Sequence, residues 1–346
     1  MGNETNRTEI SSIGEFGLID RISKHFSTKH KSSMVGIGDD AAVIMAGEQC
    51  QLVTTDMLVE GIHFDLTYSP LQHLGYKAVA VNVSDIAAMN GVPEQIIVSM
   101  GLSNRFSVEA VDVLYEGIRF ACDDYNVDLV GGDTTSSRSG LILSVTAIGN
   151  VPPKALALRS TAQKNDIVCV TGDLGAAYLG LQVLEREKQE FLENPSMQPK
   201  LEKYDYLVRR QLKPGARTDI IHELRELQVV PTAMIDISDG LASDIMHICK
   251  ESEVGVNIYE DKIPIDQRAY DTALEFKLDP MTCALNGGED YELLFTIRQE
   301  DFKNLENHPD IHFIGYIYEK EKGINLITRG EKVVPIQAQG WQHFKL

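Results

Sequence analysis

Residues Val35–Ile44 read VGIGDDAAVI: glycines at 36 and 38, two adjacent aspartates, then small apolar residues. The reading of this stretch decides the fold. GIGDDA fits G-x-G-x-x-A, the glycine turn of a dinucleotide-binding unit, but the rest of that context is missing and a lone match of this kind is weak. The alternative starts from charge. Neighbouring carboxylates repel each other and resist burial unless a cation or hydrogen bonds satisfy them. Asp39 and Asp40 therefore belong with whatever else is acidic in the chain.

Several acids share one grammar: an apolar strand ends and an aspartate follows beside Gly, Ser or Thr. They occur in VTTDML (Asp56), LVGGDTT (Asp133), IDISDGLASD (Asp236, Asp239, Asp244) and GGEDYE (Glu289, Asp290), with Asp85 inside the helical stretch NVSDIAA. Taken singly, each is as well explained by helix capping or turn chemistry. Caps do not, however, call for carboxylates in runs as apolar as VAVNVSDIAAM. Hard oxygen ligands in this number suit Mg²⁺ together with substrate phosphates. The glycines beside Asp39 and Asp40 would let backbone N–H groups approach such phosphates. No GxxxxGK[ST], HExxH, GxSxG or kinase HRD or DFG motif is present, so if phosphate is handled here, it is by acids and metals and not by a lysine cradle.

The 346 residues suffice for about two domains. With 43% hydrophobic and 24% charged residues the chain reads as globular. Its 51 acidic against 32 basic residues, a net charge of -19, argue against nucleic-acid and anionic-membrane partners. Five scattered cysteines with no CxxC point to buried apolar roles in a reducing compartment. The polar start, with no apolar signal segment and no membrane-length apolar run, makes a cytoplasmic location the expectation.

Periodicity predicts a short helix over EFGLIDRISKHF and alternating strands and helices to about residue 150. LGYKAVAVNVSDIAAMNG is ambiguous by period, but its alanines and closing Asn90-Gly91 favour a helix with a C-terminal cap. Pro152-Pro153 marks the expected boundary between a domain over 1–150 and one over 151–346. In the second, DIVCVTGDLGAAYLGLQVL and AMIDISDGLASDIMHICK read as strand into helix. The charged stretch EREKQEFLENPSMQPKLEKYDYLVRRQLKP reads as two solvated helices around a loop.

GIGDDAA, TTDMLVEGIHF, YKAVAVNVSDIAAMNG, LVGGDTT, VTGDLG, DISDGLASD and GGEDYELLFT occur in the order and approximate spacing of the thiamine-monophosphate kinases, which the chain closely resembles from about Glu15 to Phe344. The wider superfamily includes aminoimidazole ribonucleotide synthetase, selenophosphate synthetase and a hydrogenase maturation protein. No cysteine precedes Cys50, as selenophosphate synthetase would require, and the chain ends GWQHFKL without the hydrogenase factor's cysteine.

The resemblance implies a mixed α/β, two-domain PurM-like fold. The N-terminal domain binds ATP and Mg²⁺, and its sheet forms a barrel with that of a second subunit. An α/β sandwich domain follows, and the active sites lie near the dimer interface. It implies that Asp40, Thr54, Thr55, Asp56, Asp85, Asp133, Asp236 and Asp239 hold or help to hold several Mg²⁺ ions. Gly132, Asp133, Arg159, Ser238 and Tyr115 would serve ATP, and His63, Glu289 and Trp341 the thiamine phosphate. The implied reaction is direct transfer from ATP to thiamine monophosphate, the last step of thiamine diphosphate formation.

A phosphate monoester has a second pKa of about 6, so the acceptor is already largely deprotonated at neutral pH and needs no general base. The barrier is the meeting of two anions, which metal ions screen. For Trp341, a packing anchor and a stacking partner for the thiamine rings are both open. Two other functions stay open: another ATP-dependent enzyme of the superfamily, or a non-catalytic sensor of thiamine phosphates.

Overall fold

The structure is a computed structural model that describes residues 10–338. Helix α1 (Gly14–Ser23) precedes strands β1 (Ser33–Val35) and β2 (Ala42–Ala46). These two pair antiparallel across the GIGDD turn, and no helix follows it, so the dinucleotide reading fails. Then come β3 (Gln49–Val59), α2 (Leu71–Ala88), β4 (Val92–Leu102), α3 (Val108–Tyr125), β5 (Asp128–Ser136) and β6 (Ile142–Val151). They form a six-stranded sheet ordered β1-β2-β3-β6-β4-β5, antiparallel except for β4 with β5. Along β6 the residues Leu143, Val145 and Ala147 are buried while Ser144 and Thr146 are not. This period of two is that of a sheet packed on one face.

Helix α2 is buried almost all round, which explains its ambiguous period: a helix apolar on every side shows no stripe. It ends as Asn90-Gly91 predicts. Asn90 adopts φ +57°, its N–H bonds to Ala87 O and that of Gly91 to Ile86 O, closing a Schellman cap. Helix α3 crosses α2 at two glycines. A Cβ on Gly75 would sit 2.1 Å from Leu114 O, and one on Gly117 1.8 Å from Gln72 O. Gly117→Ala must push the helices apart and is expected to lower stability by about 2–3 kcal/mol; equal denaturation midpoints for variant and parent would refute this.

The second half contains β7 (Ile167–Thr171), α4 (Ala176–Glu193), α5 (Asp205–Leu212), α6 (Thr218–Glu226), β8 (Ala233–Asp236), α7 (Leu241–Glu251), β9 (Val254–Tyr259), α8 (Gln267–Glu275), α9 (Pro280–Asn286), β10 (Leu293–Ile297), β11 (Ile311–Glu319), β12 (Ile324–Ile327) and β13 (Val333–Pro335). The sheet order is β13-β12-β9-β11-β7-β10-β8. Every residue of β7 and β10 is buried because both faces are covered. Ile245 and Ile248 of α7 join one core, and Ile220 and Ile221 of α6 join another with Ala87 and Ala88 of α2. Helix α2 thus belongs to both halves, and the expected mixed α/β architecture with two sheets holds.

Two expectations are corrected. The charged stretch does form two helices around a loop, α4 to Glu193 and α5, but they are not simply solvated: α4 buries Glu187 and α5 buries Leu207 and Gln211. Gly180 of α4 permits this, since a Cβ there would lie 2.1 Å from Leu207 O. Asp56 and Asp133 lie within β3 and β5 and not at strand ends. The five cysteines are free, four buried and Cys122 half-buried. Among the described residues no helix is long and apolar enough to cross a membrane.

Candidate active site

Three elements far apart in sequence bring carboxylates together. Asp40 follows the β1 turn, Asp85 lies on α2 and Asp236 ends β8; they offer oxygens all within 4.8 Å of one another. Polar neighbours orient them. Thr54 Oγ1 donates to Asp85 Oδ2 at 2.6 Å, and Ser84 Oγ donates to Asp236 Oδ2 at 2.6 Å. Asn82 accepts the Asp56 N–H at 2.9 Å and so fixes β3 against α2. Arg159 closes the group, donating from Nε and Nη2 to the two Asp40 oxygens at 2.9 and 2.5 Å, while its main-chain N–H reaches Asp39.

Electrostatics strain this arrangement. Burial, reinforced by Asp40, pushes Asp236 and Asp39 up to about 7. Burial and then Asp56, Asp236 and Asp40 raise Asp85 well above the carboxylate range. Asp56 is raised by burial, by Asp40 and by Glu15 of α1. A cluster of hard oxygen donors that disfavours its own ionisation fits divalent cations, which restore the charged forms.

A second group faces the cluster from the GGEDYE turn. Gly288, Glu289 and Tyr291 all have positive φ, at +71°, +56° and +53°. The turn is stitched to the end of β8 by Glu289 N–H to Ser238 O (2.7 Å) and Tyr291 N–H to Ile237 O (2.9 Å). Such backbone is costly outside glycine and persists where the surroundings over-determine it. Tyr291 is buried beside Glu289, Asp56, Asp236 and Asp85, with burial first among the causes that push its hydroxyl far up. Glu289 is held by the buried Lys77 at 2.8 Å and by Gln211 Nε2 at 2.6 Å. Asp290 instead caps α4, accepting from Gly175 and Ala177 N–H.

The structure therefore brings together Asp40, Thr54, Asp56, Asp85, Asp236 and Arg159, with Glu289 near them. Asp239 is half-buried and Ser238 exposed at the start of α7, where Asp244 accepts the Gly240 N–H. His63 lies in the loop after β3, its Nδ1 accepting the Val59 N–H at 3.0 Å. Thr55 is not brought in by its side chain. Strand alternation turns it to the opposite face, where it donates to Val145 O and meets Thr146.

Gly132 and Asp133 lie on edge strand β5 with Tyr115 close by, around an open cavity of about 530 Å³. The register Asp56↔Val145↔Val98↔Gly132 places them three strands from Asp56, roughly 14 Å at about 4.8 Å per strand. Trp341 lies outside the described residues. Sequence reading missed Lys77, Tyr291 and Gln211. A lone charge in the apolar run YKAVAV was the signal for Lys77, the same signal that singles out Asp85.

The chain is similar to known proteins along almost its whole length. Residues 38–151 match the family described as AIR synthase related protein, N-terminal domain. The chain is 36% identical over 341 residues to a thiamine-monophosphate kinase of Bacillus subtilis (strain 168), covering 96% of this chain and 100% of that protein. It is 33% identical to that of Escherichia coli (strain K12), covering 96% and 98%. A solved structure of AaThiL complexed with AMPPCP and TMP superposes with a TM-score of 0.84 at 32% identity, covering 98% of this chain and 100% of that one.

Proposed function

This chain belongs to the thiamine-monophosphate kinase family, and on that footing we propose that it transfers the γ-phosphoryl group of ATP to thiamine monophosphate, giving ADP and thiamine diphosphate. The observation that carries the reading is the convergence of Asp40, Asp85 and Asp236 from both halves of the chain. With Asp56, these acids would hold Mg²⁺, which supplies charge neutralisation between the two phosphate groups.

The chain's own residues do the rest. Thr54 and Ser84 keep the carboxylates aimed. Arg159 sits where a guanidinium can pass from Asp40 to an ATP phosphate. The backbone around Ser238 and Asp239 presents the entry of α7 to the nucleotide. Glu289, locked by Lys77 and Gln211, and His63 would contact thiamine monophosphate, with Trp341 from the tail. A phosphate oxygen of the acceptor attacks the γ-phosphorus as the bond to the ADP oxygen breaks. No proton need be removed first, because the acceptor phosphate is largely deprotonated at neutral pH.

Gly132, Asp133 and Tyr115 fall outside this cluster, and we place them at the site of a second subunit in a cytoplasmic homodimer. The support is the wholly exposed edge strand β5, with Leu129 43% and Val130 57% exposed. If so, Asp85→Ala and Asp133→Ala, each inactive alone, regain up to about a quarter of parental activity when co-expressed, because half the dimers are mixed and carry one intact site. No recovery would return Asp133 to its own chain's site.

The direct test incubates the protein with ATP, Mg²⁺ and thiamine monophosphate and follows both products by chromatography. Equal amounts of ADP and thiamine diphosphate, formed only with metal, are expected. ADP alone points to another acceptor, and neither product to a sensor.

A further inference from the structure

The charged stretch after residue 184 matches no motif, yet the structure connects it to the loop that bears His63. That loop, residues 60–69, is held at its start by the first half of the chain: Glu60 accepts the Leu141 N–H at 2.8 Å and pairs with Arg105. Its far end is held by α4 of the second half. Lys188 Nζ donates to Asp65 Oδ2 at 2.7 Å, and the Tyr68 hydroxyl donates to Glu185 at 2.7 Å. Lys188 also lies 3.5 Å from Glu185 and 5.7 Å from the centre of the Tyr68 ring. Asp65 Oδ1 meanwhile accepts the N–H and hydroxyl of Thr67 at 2.8 and 2.7 Å, so one carboxylate both shapes the loop and ties it down.

The rest of the charged stretch serves α4 itself. Glu187, on another face of the helix, is buried, pairs with Arg186 and accepts the Lys200 N–H at 2.8 Å, folding the return loop back. Glu185 and Lys188 are left to reach across to the first half. Burial alone would raise Asp65, but the bonds from Lys188 and Thr67 outweigh it and hold the carboxyl down at about 2. The pair is thus ionised throughout the neutral range.

We propose that Lys188 and Glu185 form a latch from α4 to Asp65 and Tyr68 that sets the position of the His63 loop, and that Lys188 is a positioning residue for the thiamine monophosphate side of the site. The inference rests on the reading of His63 as an acceptor contact. A loop pinned to both halves keeps its shape only while both anchors hold. Loss of the α4 anchor loosens acceptor binding and leaves the acid cluster and its nucleotide side as they are.

The test compares Lys188→Met, Lys188→Arg and Asp65→Asn in the full-length protein; the asparagine keeps the acceptor for Thr67 while removing the charge. Lys188→Met and Asp65→Asn are expected to raise KM for thiamine monophosphate about fivefold, the scale of one partly exposed pair, with kcat and KM for ATP within about twofold. Lys188→Arg stays near the parent. Amides of residues 61–69 exchange hydrogen faster in Lys188→Met. Unchanged exchange overturns the latch. Faster exchange with unchanged KM, or parallel losses in kcat and both KM values, overturns its link to the acceptor. His63→Ala with an unaltered KM would overturn the underlying reading instead, and the exchange result would still stand.

Discussion

Asp85→Asn lowers phosphoryl transfer by about three orders of magnitude or more, while raising the melting temperature of the metal-free protein. The two effects share a cause. Asp85 sits with Asp40 and Asp236 inside 4.8 Å, and burial followed by three neighbouring acids opposes its ionisation. With no cation bound, the buried acid must either repel its neighbours or take up a proton that the unfolded chain would not hold; the amide avoids both costs and still offers an oxygen to Thr54. The same change deletes a ligand that brings charge compensation to the meeting phosphates, a contribution of several kcal/mol to the transition state. Kinetics and thermal melts, with and without Mg²⁺, check both halves. Near-parental turnover would remove Asp85 from the site. Lost turnover with a lowered metal-free melting point would make its role structural.

The acid cluster also sets a pH dependence. Asp39 and Asp236 are pushed up to about 7, so their folded-state values exceed the unfolded value of about 3.9. Stability associated with them is fully present below that unfolded value and is lost as pH rises through about 7. Each group contributes a slope of at most about 1.4 kcal/mol per pH unit. Other groups act against this. Burial holds His247 down to about 4 and lowers His73 and His312, so their terms favour the folded state as pH rises toward 6.5.

The cluster's share is therefore isolated by comparison. With a chelator present, the parent loses stability relative to Asp236→Asn between about pH 5 and 7.5. In saturating Mg²⁺ the parent's loss disappears, because a bound cation favours the ionised acids. Parallel curves for the two proteins in chelator would show that Asp236 ionises without penalty, against the geometry.

Much of the chain was legible from local chemistry. Ser107 caps α3 by accepting the Ala110 N–H, and Asn126 closes the helix in the left-handed region. Asn90-Gly91 ends α2 as read, and the acids singled out by their apolar surroundings include all three that converge. Their partners were harder to see. Lys77, Tyr291 and Gln211 meet Glu289 or the acids only after α2, the GGEDYE turn and α5 pack together.

The paired threonines show where sequence stops. By itself the sequence determined that Thr54-Thr55-Asp56 belongs to an apolar strand run and Asp85 to a helix, through short-range pattern and the resemblance of its motifs. Only the tertiary structure decided that Thr54 turns to Asp85 while Thr55 turns to the opposite face, and that Asp133 stands three strands away from Asp56. The reason is physical. Capping, turns and periodicity act over a few residues, but the face a strand residue takes depends on register with partners that pairing alone supplies, and a strand's period of two reverses that face with every residue.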